Sequence, residues 1–187
     1  MVKKLGKDFT RPVNVRHSRK VHSGNISLRI DKYTLNGKLI EKEIVEHSPS
    51  VGMIPIDEDS YVYLVKQYRH ATGRFLLEIP AGKIEKGESP ERAANRELAE
   101  EIGYVGKFSL LTTLYLAPGY DTELMYLFAC TDLIKVPRGK LDDDENISIK
   151  RMKVGTAVRK CLSGEIKDCK TVAGLLAYSS DFRPSLK

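Results

Sequence analysis

Apolar and polar residues alternate over residues 26–33 and again over 38–46, with the turn pair Asn36-Gly37 between them. That pattern predicts a β-hairpin. Apolar runs at 51–56 and 61–67 flank the polar turn Asp57-Glu58-Asp59-Ser60 and read as a second pair of strands. A short strand at 74–79 runs into Pro80-Ala81-Gly82, a tight turn. Further strands are expected at 108–116 and 124–130, separated by Ala117-Pro118-Gly119-Tyr120-Asp121, and at 147–152 after a polar, acidic loop over 135–146. Helical segments are expected at 90–102, 156–162 and 171–179, with Gly164 between the last two. Strands mixed with a few helices, without internal repeats or low-complexity stretches, predict a layered α/β or α+β domain.

The helix at 90–102 changes this picture most. Ser89 suits the N-cap, Pro90 the first helical position, Glu91 the positive end of the dipole, and Gly103 the C-terminal stop. Between those stops Glu97, Glu100 and Glu101 project from one face. Like charges at three- and four-residue spacing destabilise a bare helix. A Glu-rich helix is ordinarily a solvated face. Here Ala93, Ala94, Leu98 and Ile102 form a narrow apolar stripe for close packing, and Pro80-Ala81-Gly82 brings a backbone turn to the carboxylates. A hard divalent cation such as Mg²⁺, which takes oxygen ligands, accounts for the cluster.

Composition sets the bounds. The chain has 187 residues, 41% of them hydrophobic and 30% charged, enough for one ordinary domain with a real core. No apolar run is long enough to span a bilayer, and no signal segment follows the basic N-terminus, so no membrane partner is expected. Cys130, Cys161 and Cys169 form no Cys-x-x-Cys pair, and an odd count of thiols points to a reduced, cytoplasmic protein. The net charge of +6 suggests nucleic acid at first. All of it resides in residues 1–22, however, and the rest of the chain is balanced, so nucleic-acid binding is not expected and the tail reads as a solubilising one.

At fixed spacing, Gly82, Glu88, Arg96, Glu97, Leu98, Glu100, Glu101 and Gly103 resemble the Nudix box, Gly-x5-Glu-x7-Arg-Glu-U-x-Glu-Glu-x-Gly-U, where U is bulky and aliphatic; Tyr104 departs at the last position. Outside the box, Glu43-Ile44-Val45-Glu46-His47, Gln67-Tyr68-Arg69, Leu77-Glu78-Ile79-Pro80-Ala81-Gly82 and Leu116-Ala117-Pro118-Gly119 resemble the ADP-ribose pyrophosphatase group. So do Asp142-Asp143-Asp144-Glu145 and the segment 164–171. The resemblance covers most of the chain beyond the basic tail. It implies a Nudix-type α/β/α sandwich with a mixed β-sheet plus an N-terminal β-hairpin subdomain. Residues 1–22 are then the basic tail, 23–48 the hairpin, and 49–187 the hydrolase domain. A lone hairpin is marginal in water, so 23–48 is expected to pack on a second subunit of a homodimer.

The resemblance also implies roles. Ala81, through its carbonyl, with Glu97 and Glu101 would hold the metal, and Glu100 would be a further or bridging ligand. Arg96 would pair with the box glutamates and hold their rotamers, and Glu88 would tie the loop to the helix. Arg69 would contact the diphosphate or the terminal ribose, for which a planar guanidinium is suited. Glu78 and Lys83 would line the substrate site. Lys42 and Glu43 would face the adenosine part, and Pro118, Gly119 and Glu123 the terminal-ribose end. The acidic loop would supply a metal-binding or water-activating carboxylate, with Glu145 the first candidate and Asp143 the second. The implied reaction is Mg²⁺-dependent hydrolysis of ADP-ribose, or a related ADP-sugar, to AMP and ribose 5-phosphate, with Mn²⁺ as an alternative metal. The other readings are a Nudix hydrolase acting on a dinucleotide or capped RNA end, and a silent nucleotide-binding module. The intact Glu97, Glu100 and Glu101 argue against the last.

Overall fold

The structure is a computed structural model and describes residues 14–139 and 147–181. The chain divides into two compact units, one made of residues up to His47 together with Ala117–Thr122, the other of Ser48–Leu116 and the chain from Glu123 onward.

The first unit is an antiparallel sheet, β1 (Val15–Ser23), β2 (Ser27–Leu35) and β3 (Lys38–Glu46), in that order. Asn36 and Gly37 connect β2 to β3 with φ of 50° and 76°, the left-handed pair that a two-residue hairpin turn needs. Strand β1 corrects the expected layout. Residues 15–22 fell in the expected tail, yet they pair along β2 and turn the hairpin into three strands. Every residue of β1 is exposed, so its backbone ladder holds it and no buried face marks it in the sequence. The segment Ala117–Thr122 is a second correction, because its backbone pairs with β3. The Val45 N–H donates to the Tyr120 carbonyl at 2.7 Å and the Thr122 N–H to the Val45 carbonyl at 3.1 Å. Among the described residues of this unit only Asp31 is buried, and it accepts hydrogen bonds from Ser18 at 2.6 Å and Arg29 at 3.1 Å.

The second unit contains β4 (Ser50–Pro55), β5 (Tyr61–Arg69), β6 (Arg74–Glu78), β7 (Ala81–Lys83), α1 (Pro90–Ile102), β8 (Tyr104–Tyr115), β9 (Leu124–Lys135), β10 (Ile147–Lys153), α2 (Val154–Leu162) and α3 (Cys169–Asp181). A mixed sheet runs β7-β4-β9-β8, with β4 and β9 parallel, and an antiparallel sheet runs β10-β5-β6. The expected turn at Ala81-Gly82 is itself the short strand β7, paired with β4.

Strand alternation divides the core. Val51 and Met53 of β4, Val65 of β5 and Phe128 of β9 join Ala93, Ala94, Leu98 and Ile102 of α1. Ile54, Val62, Leu64 and Leu127, one position out of phase, join Ala157 of α2 and Leu175 of α3. Helices therefore cover both faces, an α/β/α arrangement in which each fully buried aliphatic contributes about 2 kcal/mol. None of the described helices is long and apolar enough to cross a membrane.

Candidate active site

Helix α1 has the expected ends. The Ser89 hydroxyl accepts the Arg92 N–H at 3.3 Å, Pro90 opens the helix, and the Gly103 N–H closes it on the Ala99 carbonyl at 3.1 Å. The buried stripe of Ala93, Ala94, Leu98 and Ile102 seats the helix on β4 and so fixes the direction of its carboxylates.

Arg96 organises those carboxylates. Its Nε and Nη2 fork onto Glu88 at 3.1 and 3.0 Å, and Nη1 donates to Glu97 at 2.8 Å and to Glu100 at 3.1 Å. Nη2 also donates to the Lys83 carbonyl at 3.0 Å, so Lys83 enters this cluster through its backbone. The Glu88 bond above all, with Glu97 adding to it, raises the guanidinium pKa against the opposing effect of burial. The same bond holds the Glu88 carboxyl below the usual range, while the Glu85 N–H ties Glu88 to its loop at 3.1 Å.

The turn before the helix meets the carboxylates directly. Glu101 is 3% exposed and accepts the Ala81 N–H at 3.2 Å. A Cβ on Gly82 would lie 1.9 Å from the Glu97 carboxyl carbon, so only glycine admits Glu97 in this position. The Pro80 carbonyl takes the Met53 N–H at 2.8 Å and the Ile79 N–H donates to Thr171 at 2.8 Å. The Ala81 backbone is thereby pinned from three elements.

The donors gathered here are carboxylate and carbonyl oxygens, which suit a hard divalent cation and exclude a thiolate- or imidazole-type site. Among the described residues no three His, Cys, Asp or Glu side chains form a closed ligand group, and Arg96 hydrogen-bonds both Glu97 and Glu100. The space Gly82 leaves to Glu97, and the burial of Glu101 beside Ala81, fit these residues to hold such an ion.

A second charged cluster lies at the end of β6. Arg69 forks onto Glu78 at 2.8 and 2.7 Å, and Lys170 of α3 pairs with the same carboxylate. Lys170 also bonds Asp168 at 2.9 Å. Burial pushes the Glu78 carboxyl up, but Arg69 and Lys170 outweigh it and hold it below the usual range. Arg69 is raised chiefly by its bond to Glu78, with Asp168 and Glu101 also acting on its charge. Sequence reading placed Arg69 and Glu78 as substrate contacts; the structure shows them bonded to each other, with the Arg69 side chain 43% exposed. The roles of Asp168, Lys170 and Thr171 went unassigned, although the matched segment 164–171 carried the signal.

In the first unit, Lys42, Glu43 and Gly119 come together around an opening of about 440 Å³ that Ile30, Glu41 and Tyr120 also line. Pro118 belongs to the same unit. Glu123 belongs to the second unit, where it accepts the Ser50 hydroxyl at 2.5 Å. Asp143 and Glu145 lie outside the described residues.

Residues 46–168 match the model of a family described as NUDIX domain. The chain is 37% identical over 138 residues to the ADP-ribose pyrophosphatase of Bacillus subtilis (strain 168), covering 73% of this chain and 75% of that protein. It is 34% identical over 165 residues to the ADP-ribose pyrophosphatase of Mycobacterium tuberculosis (strain ATCC 25618 / H37Rv), covering 86% and 80%. The fold is similar to a solved structure titled "Crystal structure of ADP compounds hydrolase", with a TM-score of 0.79, 22% identity, and coverage of 91% of this chain and 94% of that one.

Proposed function

The chain belongs to the Nudix family, and on that premise we propose that it hydrolyses the diphosphate of ADP-ribose to AMP and ribose 5-phosphate, or that of a related ADP-sugar to AMP and the matching sugar phosphate, with Mg²⁺ as its metal. The observation that carries the reading is the meeting of Ala81 and Gly82 with Glu97 and Glu101. Glu97, Glu101 and the Ala81 carbonyl are the proposed metal holders, with Glu100 as a further ligand. An ion held there would neutralise charge on the diphosphate and acidify a water for in-line attack.

The protein's own residues do the rest. Arg96 holds the rotamers of Glu97 and Glu100 by direct hydrogen bonds. Arg69, fixed at one edge by Glu78 and open at the other, is proposed to take the anionic diphosphate. Lys42 and Glu43 are proposed to recognise the adenosine part, and Pro118, Gly119 and Glu123 the terminal-ribose end. Glu145, or Asp143, is proposed to supply the further carboxylate of the acidic loop. A homodimer through the three-stranded unit accords with its exposed Val15, Val21, Ile26, Leu35 and Leu39, and a reducing cytoplasm accords with three free thiols.

The test is a product assay on ADP-ribose with Mg²⁺ supplied and then chelated. AMP and ribose 5-phosphate are expected only with the metal. Glu101→Gln keeps an acceptor for the Ala81 N–H but removes the charge. It should lower kcat by about a hundredfold or more with an unchanged thermal unfolding curve. Near-normal turnover in that variant would refute the site.

A further inference from the structure

Lys170 is 8% exposed and reaches across 92 positions of sequence to a glutamate that is 1% exposed. A carboxylate so deeply buried keeps its charge only when it is paired and hydrogen-bonded. Glu78 has two cationic partners, since Arg69 Nη2 and Lys170 Nζ both bind its Oε2. Arg69, Glu78 and Lys170 together therefore carry one net positive charge. Asp168 offsets it from the far side of Lys170, where its own charge is spread over the Thr171 hydroxyl at 2.5 Å and the Thr171 N–H at 3.0 Å. That N–H opens α3, a position that favours a carboxylate. The row of four is neutral as a whole, with its positive end at the exposed edge of Arg69 and its negative end at Asp168.

We propose that Lys170 is a positioning residue for the reaction: by taking a share of the Glu78 carboxylate it keeps Arg69 net positive and correctly forked for an anionic diphosphate. The inference rests on the proposed reading of Arg69 as a diphosphate contact. Without Lys170, Glu78 and Arg69 close into a neutral pair and the arginine loses its pull on the substrate. Lys170 bonds Glu78 and Asp168, and its effect passes through Arg69, so it falls on binding and leaves the chemical step alone.

The experiment is a double-mutant cycle of Lys170→Met and Arg69→Ala, reading KM and kcat for ADP-ribose with Mg²⁺ and the calorimetric Kd for ADP-ribose in chelator. Lys170→Met alone should raise KM and Kd about tenfold with kcat nearly unchanged. In the Arg69→Ala background it should change neither, because the residue it acts through is gone. Asp168→Asn keeps the α3 cap but removes the opposing charge, and should lower KM and Kd about threefold, a gain that loosened packing does not produce. This variant also carries the test if Lys170→Met fails to fold. An unchanged KM in Lys170→Met, a full effect in the Arg69→Ala background, or weaker binding in Asp168→Asn overturns the role of Lys170. A wild-type protein that neither binds nor cleaves ADP-ribose overturns the functional reading itself, and with it the inference.

Discussion

Gly82 shows how a single missing side chain sets a site. Its hydrogen occupies space that a methyl group would deny to Glu97, with the nearest carboxylate atoms 1.9–2.2 Å from an added Cβ. The obstructed atoms are the far end of a flexible side chain, so the fold can yield where the site cannot. Gly82→Ala should retain its melting temperature within a few degrees while kcat falls by about a hundredfold. Full activity in that variant would show that Glu97 works from another rotamer. Arg96 makes the complementary point. Its guanidinium binds Glu97 and Glu100 and offsets the repulsion that their three-residue spacing would otherwise impose on the helix, while also tying Glu88 of the preceding loop to it.

Helix α1 joins capping at one end to chemistry at the other. Ser89 caps the N-terminus through the Arg92 N–H, and the functional glutamates lie in the last two turns. Ser89→Ala should cost about 1 kcal/mol and lower the melting temperature by about 2–4 °C, with kcat and KM unchanged. A large loss of kcat would mean that the whole helix shifts when its start is loosened. Strand β1 is the contrasting element, since its nine residues are all exposed and its place rests on the ladder to β2.

For the whole molecule, the buried and half-buried ion pairs set the response to acid. Glu78, whose pairing with Arg69 and Lys170 outweighs burial, and Glu88, through its bond to Arg96, both sit below the ordinary value of 4.5. The unfolded chain binds protons there before the folded one does, so unfolding free energy rises with pH across that window. The contribution is complete above pH 4.5 and disappears as pH falls through the lowered folded values. Urea unfolding should give a nearly constant free energy from about pH 7 to about pH 5 and a steep fall below about pH 4. A constant free energy down to about pH 3 would show that these carboxylates are no better placed in the folded protein than in the unfolded chain. Loss of activity should accompany the fall, because the same two glutamates hold Arg69 and Arg96.

What the sequence determined by itself was local. The Asn36-Gly37 turn, the alternation of β2 and β3, the apolar runs of β4 and β5, the caps of α1 and the spacing of Glu97, Glu100 and Glu101 are all properties of residues within a few positions of one another. Periodicity and capping act at that range, and they were enough to place the glutamates on one face and to suggest a cation. Only the tertiary structure decided that Glu101 is the buried carboxylate, that Glu97 fills the space beside Gly82, and that Ala117–Thr122 belongs with β3. It also decided that Lys170 shares Glu78 with Arg69. Those facts join positions tens of residues apart. A backbone ladder on an exposed strand, or a buried carboxylate shared with a cation 92 positions away, leaves no period in the chain, because the partner that gives it meaning is brought in by packing alone.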